Sequence, residues 1–307
     1  MSNPHPFTVT LLGTASAMPV KDRNQSAQAL SVHGRLFLVD CGEGVQGRMV
    51  QFGLPMMKLD SVFVSHIHGD HMFGLWGLLS TLGMKGRLTP LNLFGPVNLG
   101  PLLKFFLSYY GDGLAYEVRF VPLKMKAPET ILETKSLRVE AFPLNHGIET
   151  FGFRFSEKEP PFNVHKEAIG RYGLSLTEIG TLKRGEDVIR DDGTRIPAAE
   201  AAYKPFVPRS YAYCSDTAPF PEEAEWLRGT QVIYHETTYL QEFADQAALR
   251  RHSTTLEAAK VALVAGARKL LIGHYSSRRT DAAAYEAECR TLFPESFATS
   301  DGDSYEI

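Results

Sequence analysis

An apolar run, Leu59-Asp60-Ser61-Val62-Phe63-Val64, leads straight into Ser65-His66-Ile67-His68-Gly69-Asp70-His71, and a helix-forming stretch from Met72 to Leu82 follows. Three imidazoles and a carboxylate within six residues are more nitrogen and oxygen ligands than one tetrahedral metal ordinarily takes from so short a segment. His66 and His68 are one residue apart, so on an extended backbone they point to the same side and can share an ion. Asp70 and His71 are adjacent and face differently, which suits a second ion close by. Gly69 between the pairs reads as the tight backbone turn that gathers all four side chains. The pattern predicts a two-metal site on a strand-to-helix turn. Ordinary surface histidines are a poor account of these residues in this order.

Composition excludes more than it selects. With 307 residues, 44% of them apolar, the chain can bury a large core as one elaborated domain or two halves. A net charge of −3 excludes a generally basic, nucleic-acid-coating protein, so any RNA contact must come from local patches. Cys41, Cys214 and Cys289 are an odd number without close spacing, which argues against a disulfide framework and against thiolate zinc sites. Met1 to Pro6 lacks a charged-then-apolar leader, and the longest apolar stretch, Met72 to Gly83, is too short to span a bilayer. A cytoplasmic location without membrane contact is the expectation. Strand-like and helical runs alternate. Gln28 to Asp40 reads as a hairpin around His33-Gly34, and Leu137 to Phe142 and Gln231 to Tyr234 read as strands. Glu43 to Phe52, Asn98 to Tyr110, Thr255 to Ala265 and Asp281 to Leu292 read as helices. Val45, Met49 and Phe52 share one helix face that is either core or a contact with a partner subunit.

The order H-x-H-x-D-H resembles the signature of the metallo-β-lactamase fold superfamily. That resemblance implies an α/β fold, a four-layer αββα sandwich with the metals at its edge. It also implies that later strand ends supply the remaining ligands. His146 after Leu137 to Phe142, Asp216 after Tyr211-Ala212-Tyr213-Cys214-Ser215, and His274 after Leu270-Leu271-Ile272-Gly273 meet that expectation in order. The implied sets are His66, His68, His146 and Asp216 for one ion, and Asp70, His71, His274 and Asp216 for the other. Imidazole and carboxylate without thiolate suit zinc, two ions per chain, and admit manganese or iron. Asp40, at the end of Leu38-Val39-Asp40-Cys41-Gly42, is expected to support the centre by hydrogen bonding.

Two further motifs narrow the resemblance to RNase Z, the endonuclease family that removes 3′ trailers from precursor tRNA. His235-Glu236-Thr237-Thr238 resembles the family's HEAT motif, with Thr237 in the third position, and His252-Ser253-Thr254 its HST motif. The resemblance implies that His252 serves the leaving oxygen or the scissile phosphate, that Glu236 orients and charges His252, and that Asp70 aids deprotonation of water as well as binding metal. Thr254 or Ser253 is also a natural N-cap for the following helix. Pro19-Val20-Lys21-Asp22-Arg23-Asn24 resembles the family's P-x-K-x-R-N loop, with Lys21 and Arg23 as phosphate contacts. With water as nucleophile, the implied products are a tRNA 3′-hydroxyl and a trailer 5′-phosphate, cut just 3′ of the discriminator.

The whole chain, 1–307, is expected to form one such domain, with 157–208 as the family's inserted flexible arm for tRNA. Lys183 and Arg184 lie in its Leu182-Lys183-Arg184-Gly185-Glu186 segment. Its tip, Tyr172-Gly173-Leu174-Ser175-Leu176-Thr177, has no proline, and its eight lysines and arginines face nine acids, so counterion release from it should be modest. A homodimer is implied by the resemblance alone. The alternative within the fold is a phosphodiesterase for small or cyclic nucleotides. A non-catalytic RNA-binding scaffold would be expected to lose ligands, and all seven are retained.

Overall fold

A computed structural model describes residues 6–18, 20–279 and 281–307. It divides into two compact units, one comprising 6–133, 138–156 and 209–307, the other 134–137 and 157–208. Pro19 of the P-x-K-x-R-N segment and residues 1–5 lie outside the described residues.

The larger unit holds two seven-stranded sheets. In the first, β1 (Phe7–Gly13), β2 (Ala27–Val32), β3 (Arg35–Val39), β4 (Leu59–Phe63), β5 (Leu91–Pro96) and β6 (Val118–Leu123) lie side by side in chain order. The second includes β7 (Glu129–Glu133), β8 (Leu137–Leu144) and β9 (Thr150–Glu157). Numbering of the short strands β10 (Asn163–Val164), β11 (Val188–Ile189), β12 (Arg195–Ile196) and β13 (Ala202–Tyr203) falls in the smaller unit. The second sheet continues from β9 with β14 (Ser210–Cys214), β15 (Val232–Glu236), β16 (Lys269–Gly273) and β17 (Ser296–Ala298). A last strand, β18 (Ser304–Glu306), closes the first sheet by pairing antiparallel with β1.

Strands buried on both faces read as near-continuous apolar runs. On the inner faces, Phe63 meets Phe153 and Phe155 with ring centroids 5.3 Å away in each case, and Phe37 meets Phe155 at 5.9 Å. On the outer face of the first sheet, Leu38, Val62 and Leu93 pack against Leu75, Leu78, Leu79 and Leu82, whose spacing is one helix stripe. Outside the second sheet, Ile233, Leu270 and Ile272 pack against Ala259, Ala262, Tyr285 and Cys289. The result is the four-layer αββα sandwich. Val45 and Met49 are buried in the first core with Phe52 packed against it, so that face is core.

Local signals explain the local structure. His33 (φ 48) and Gly34 (φ 78) both take left-handed backbone, the primed turn that suits a two-residue hairpin. Thr254 caps the helix Thr255–Ala265 in a reciprocal capping box with Glu257. Gly69 differs from expectation. It opens the short helix Gly69–Met72 with no left-handed φ; a Cβ there would stand 2.4 Å from the Phe73 ring, which is 59% exposed and would have to turn aside.

The smaller unit has its own core of Leu174, Leu182, Val188, Ile196, Ala198 and Ala201. Gly173 (φ 56) ends one helix, Lys166–Tyr172, and Ser175 caps the next, Leu176–Lys183, so glycine and serine turn the tip without proline.

Candidate metal centre and active site

The functional side chains leave the carboxyl ends of β3, β4, β8, β14, β15 and β16, the edge at which open α/β sheets bind ligands. Asp40 (φ 57) and His274 (φ 61) hold left-handed backbone at two of these ends, as does Arg251 (φ 55) just before His252. Such strain in residues other than glycine persists where the surroundings over-determine it.

All seven expected ligands come together in two clusters, His66 with His68, His146 and Asp216, and Asp70 with His71 and His274. Asp216 stands between them. Its Oδ2 lies 3.7 Å from His66 Nε2 and 3.9 Å from His146 Nε2. Its Oδ1 lies 3.4 Å from His71 Nε2 and 3.2 Å from His274 Nε2. Asp70 Oδ2 lies 3.4 Å from His71 Nε2 and 3.5 Å from His274 Nε2.

The hydrogen bonds assign the tautomers. His146 Nδ1 lies 2.9 Å from the Arg251 carbonyl, which only accepts, so the proton sits on Nδ1 and the Nε2 lone pair faces Asp216. His71 Nδ1 donates to Asp40 Oδ2 at 2.7 Å. Ser65 Oγ gives its proton to the same oxygen at 2.8 Å and is left to accept from His66 Nδ1 at 2.9 Å. Lone pairs and carboxylate oxygens therefore converge. His71 Nε2 and His274 Nε2 are 3.3 Å apart, a separation that demands a positive charge between or beside them. Burial pushes the His71 imidazole down, but Asp216, Asp70 and Asp40 outweigh it and raise it. Asp216 Oδ1 is buried without a hydrogen-bond donor. The donor set fits two borderline cations with imidazole and carboxylate ligands. Asp40 also accepts from Ser65 N at 2.7 Å and Tyr213 Oη at 2.6 Å, which ties the first sheet to the second beneath the clusters.

Glu236 is fully buried and fully engaged. Its Oε1 accepts from Thr217 N (3.2 Å), Ser253 N (2.8 Å) and His252 Nδ1 (3.0 Å). Its Oε2 accepts from Thr238 N (2.8 Å) and Thr238 Oγ1 (2.7 Å). Burial pushes the Glu236 carboxyl up, but His252 outweighs that and holds it low. Burial pushes His252 down, and Glu236 and Asp216 outweigh it, raising the imidazole to about 9. His252 Nε2 reaches to 4.0 Å from Asp216 Oδ2, at the wall of a cavity of about 590 Å³ that both clusters also line.

Sequence reasoning missed several residues here. Tyr239, Arg250 and Arg278 line the cavity, and a single loop arginine or tyrosine carries no sequence signal. Arg251 clasps His146 twice, since its guanidinium donates to the His146 carbonyl at 2.8 Å while its own carbonyl holds the ring. A buried trio of Cys214, Glu223 and His235 resembles a ligand set. Both nitrogens of His235 are occupied, by the Glu236 carbonyl at 2.7 Å and Glu223 Oε1 at 3.1 Å, so this is an ion pair that steadies β15.

The expected RNA contacts are placed differently. Ser16, Ala17 and Met18 line the cavity from the N-terminal loop, Arg23 stacks over Tyr275 with its guanidinium 4.6 Å from the ring centroid, and Lys21 is exposed. In the smaller unit Arg184 pairs with Glu186 at 2.9 Å, and Lys183 lines a surface groove with Lys166, His165 and Tyr203.

Two sheets, their flanking helices and paired histidine–aspartate clusters at the strand ends define a protein of the metallo-β-lactamase fold. A family model described as anti-Pycsar protein Apyc1 matches residues 7–156. Ribonuclease Z of Cytophaga hutchinsonii is 38% identical over 302 residues, 98% of this chain and 96% of that one. Ribonuclease Z of Phocaeicola vulgatus is 36% identical over 288 residues, 94% and 93% of the two chains. Among solved structures, the short form of human tRNase Z superposes with a TM-score of 0.71 at 23% identity, covering 98% of this chain and 99% of that one. The metallo-β-lactamase fold protein YhfI from Bacillus subtilis gives 0.69 at 18%, covering 98% and 100%. The chain belongs to the ribonuclease Z family.

Proposed function

We propose that this chain is a zinc-dependent endoribonuclease that removes the 3′ trailer from precursor tRNA in the cytoplasm. The observation that supports it best is His252, held by the buried Glu236 and lining the same cavity as His68, Asp70, His146, Asp216 and His274 of the two converging clusters. His66, His68, His146 and Asp216 would hold one zinc ion, and Asp70, His71, His274 and Asp216 the other. Bound there, two such ions supply an activated water and neutralise charge on the phosphate oxygens. The protein's own groups do the rest. Glu236 keeps the His252 proton on Nδ1 and, by its charge, favours a second proton on Nε2, the atom that faces the leaving 3′ oxygen. Asp70, besides ligating, accepts the proton of the attacking water. Lys21, Arg23, Lys183 and Arg184 are the proposed RNA contacts, with 157–208 as the tRNA-binding arm of a single elaborated domain. A homodimer belongs to the same proposal, with its contact surface outside the Val45–Met49 face.

Cleavage of a precursor tRNA with a labelled 3′ trailer, zinc added and both ends mapped, tests this reading. A single cut after the discriminator leaving 3′-hydroxyl and 5′-phosphate is expected. A 2′,3′-cyclic phosphate would refute a water nucleophile. One observation favours a second reading, a phosphodiesterase for small or cyclic nucleotides. Four of the arm's cations are committed internally, Arg184 to Glu186, Arg190 to Glu178, Arg195 to Asp187 and Lys204 to Glu159. No cut in tRNA, with a small phosphodiester still hydrolysed, would select it.

A further inference from the structure

We infer that Thr238 is a positioning residue that couples cation binding at Asp70, His71 and His274 to the Glu236–His252 pair. The inference rests on reading that cluster as a metal site.

Thr238 is 5% exposed, and its hydroxyl meets three groups: Glu236 Oε2 at 2.7 Å, His274 Nδ1 at 2.8 Å and His252 Nδ1 at 3.2 Å. A hydroxyl has one proton to give and two lone pairs to receive with. An ionised carboxylate can only accept, so the proton goes to Glu236. The Thr238 oxygen is thereby left as an acceptor, and His274 must carry its proton on Nδ1. The lone pair of His274 Nε2 then points at Asp70 Oδ2 and Asp216 Oδ1, as a cation ligand requires. One carboxylate thus orients two imidazoles, His252 directly and His274 through the hydroxyl. Thr237 takes no part in this, since its hydroxyl turns away to the Gly273 carbonyl at 3.2 Å.

The logic can be reversed by removing the charge. Backbone N–H groups of Thr217 and Ser253 point at Oε1 of Glu236, whereas one, from Thr238, points at Oε2. A glutamine at 236 therefore places its NH2 toward Thr238, the side with fewer fixed donors. The hydroxyl then receives that proton and offers its own to His274 Nδ1. His274 is driven to the tautomer with hydrogen on Nε2, facing the cluster. Losing the group that fixes a ligating histidine weakens metal binding about 10–100-fold.

The test is zinc titration by calorimetry and chelator competition on wild type, Thr238→Val, Thr238→Ser, Glu236→Gln and the double variant Glu236→Gln/Thr238→Val. Circular dichroism and melting confirm the fold, and Thr238→Ala replaces the valine variant should that one fold poorly. Wild type is expected to bind two ions. The valine variant should bind one of them, the ion of the Asp70, His71 and His274 cluster, about 10–100-fold less tightly, with serine restoring it. Glu236→Gln should weaken the same site in the wild-type background and add nothing once the hydroxyl is gone. A folded valine variant that binds both ions as tightly as wild type overturns the inference. So do Glu236→Gln and Thr238→Val effects that simply multiply. Fewer than two ions on wild type would instead defeat the metal-site reading beneath it.

Discussion

The C-terminal Asp301 gives the sharpest stability prediction, because one nearly buried carboxylate (4% exposed) holds both ends of the loop between β1 and β2. Its Oδ1 accepts from Thr14 Oγ1 at 2.8 Å, and its Oδ2 from Asn24 N at 2.6 Å, Asn24 Nδ2 at 2.8 Å and Arg48 Nη2 at 3.3 Å. Asp301→Ala strands these donors. Arg48 is 19% exposed and can turn to water, but Thr14 is fully buried and the Asn24 backbone N–H cannot rotate away. Two stranded donors at about 1–3 kcal/mol each give a loss of about 4 kcal/mol. At about 2–4 °C per kcal/mol for a unit of this size, the melting point should fall by roughly 8–16 °C. Asp301→Asn is the control. Its carbonyl can take the Oδ2 position and keep three of the four bonds, while its NH2 faces a Thr14 hydroxyl able to turn and accept. That change should cost about 1 kcal/mol. Denaturant and thermal melts of both variants, metal-free and zinc-saturated, measure the difference. If Asp301→Ala melts with wild type, or asparagine does as much harm as alanine, the carboxylate is not the anchor argued here. The loop it holds carries Ser16 to Met18 at the cavity and Lys21 and Arg23, so Asp301→Ala should also raise KM for precursor tRNA more than for a small phosphodiester, with Asp301→Asn close to wild type.

Other outcomes follow from the same geometry. His252→Ala should abolish tRNA cleavage while zinc analysis still finds both ions, because none of the seven converging side chains is touched; a metal-depleted variant would contradict the role assigned to His252. In metal-free protein, NMR should find the His252 imidazole titrating at about 9, and Glu236→Gln should move it down. Because this value is raised in the fold, its contribution to stability is present in full below about pH 6.5 and is lost as pH climbs through about 9; stability that grows over that interval would mean the ring is held neutral. Excising residues 160–205 should spare hydrolysis of a small chromogenic phosphodiester and end tRNA processing, whereas equal loss on both substrates would make the smaller unit a purely structural element.

What could be read from the chain alone depended on how local its physics was. The His33-Gly34 turn and the Thr254 cap are decided by neighbours, and both stand where the sequence puts them. The run from His66 to His71 was legible because its four polar side chains fall within six consecutive residues. His146, Asp216 and His274 became legible only through the family resemblance, since a strand-end histidine or aspartate has many ordinary uses. The reading of Gly69 as a tight backbone turn does not hold, since its φ is not left-handed and its close neighbour is the exposed Phe73 ring. Asp301, Thr238 and Arg251 were invisible. Each acts on a partner brought close by the fold, Asp301 on Asn24 across 277 positions of chain and Arg251 on His146 across 105.

The groups that orient the imidazoles share one task, which explains why no motif contains them all. The five imidazoles aimed by Nε2 have their Nδ1 held by three kinds of acceptor: a hydroxyl for His66 (Ser65) and His274 (Thr238), a carboxylate for His71 (Asp40) and His252 (Glu236), and a backbone carbonyl for His146. What matters at each point is acceptor capacity in the right place, and several residue types supply it. The ligating atoms are chemically constrained and therefore form patterns. The groups that orient them are constrained only in position. Damage to an acceptor that serves one ring, Ser65 for His66 or Thr238 for His274, should release that ring alone, whereas loss of Asp40 or Glu236, each of which stands behind two rings, should reach further. Loss of metal affinity should therefore be graded, in contrast to the collapse expected when Asp216, whose two oxygens face both clusters, is replaced.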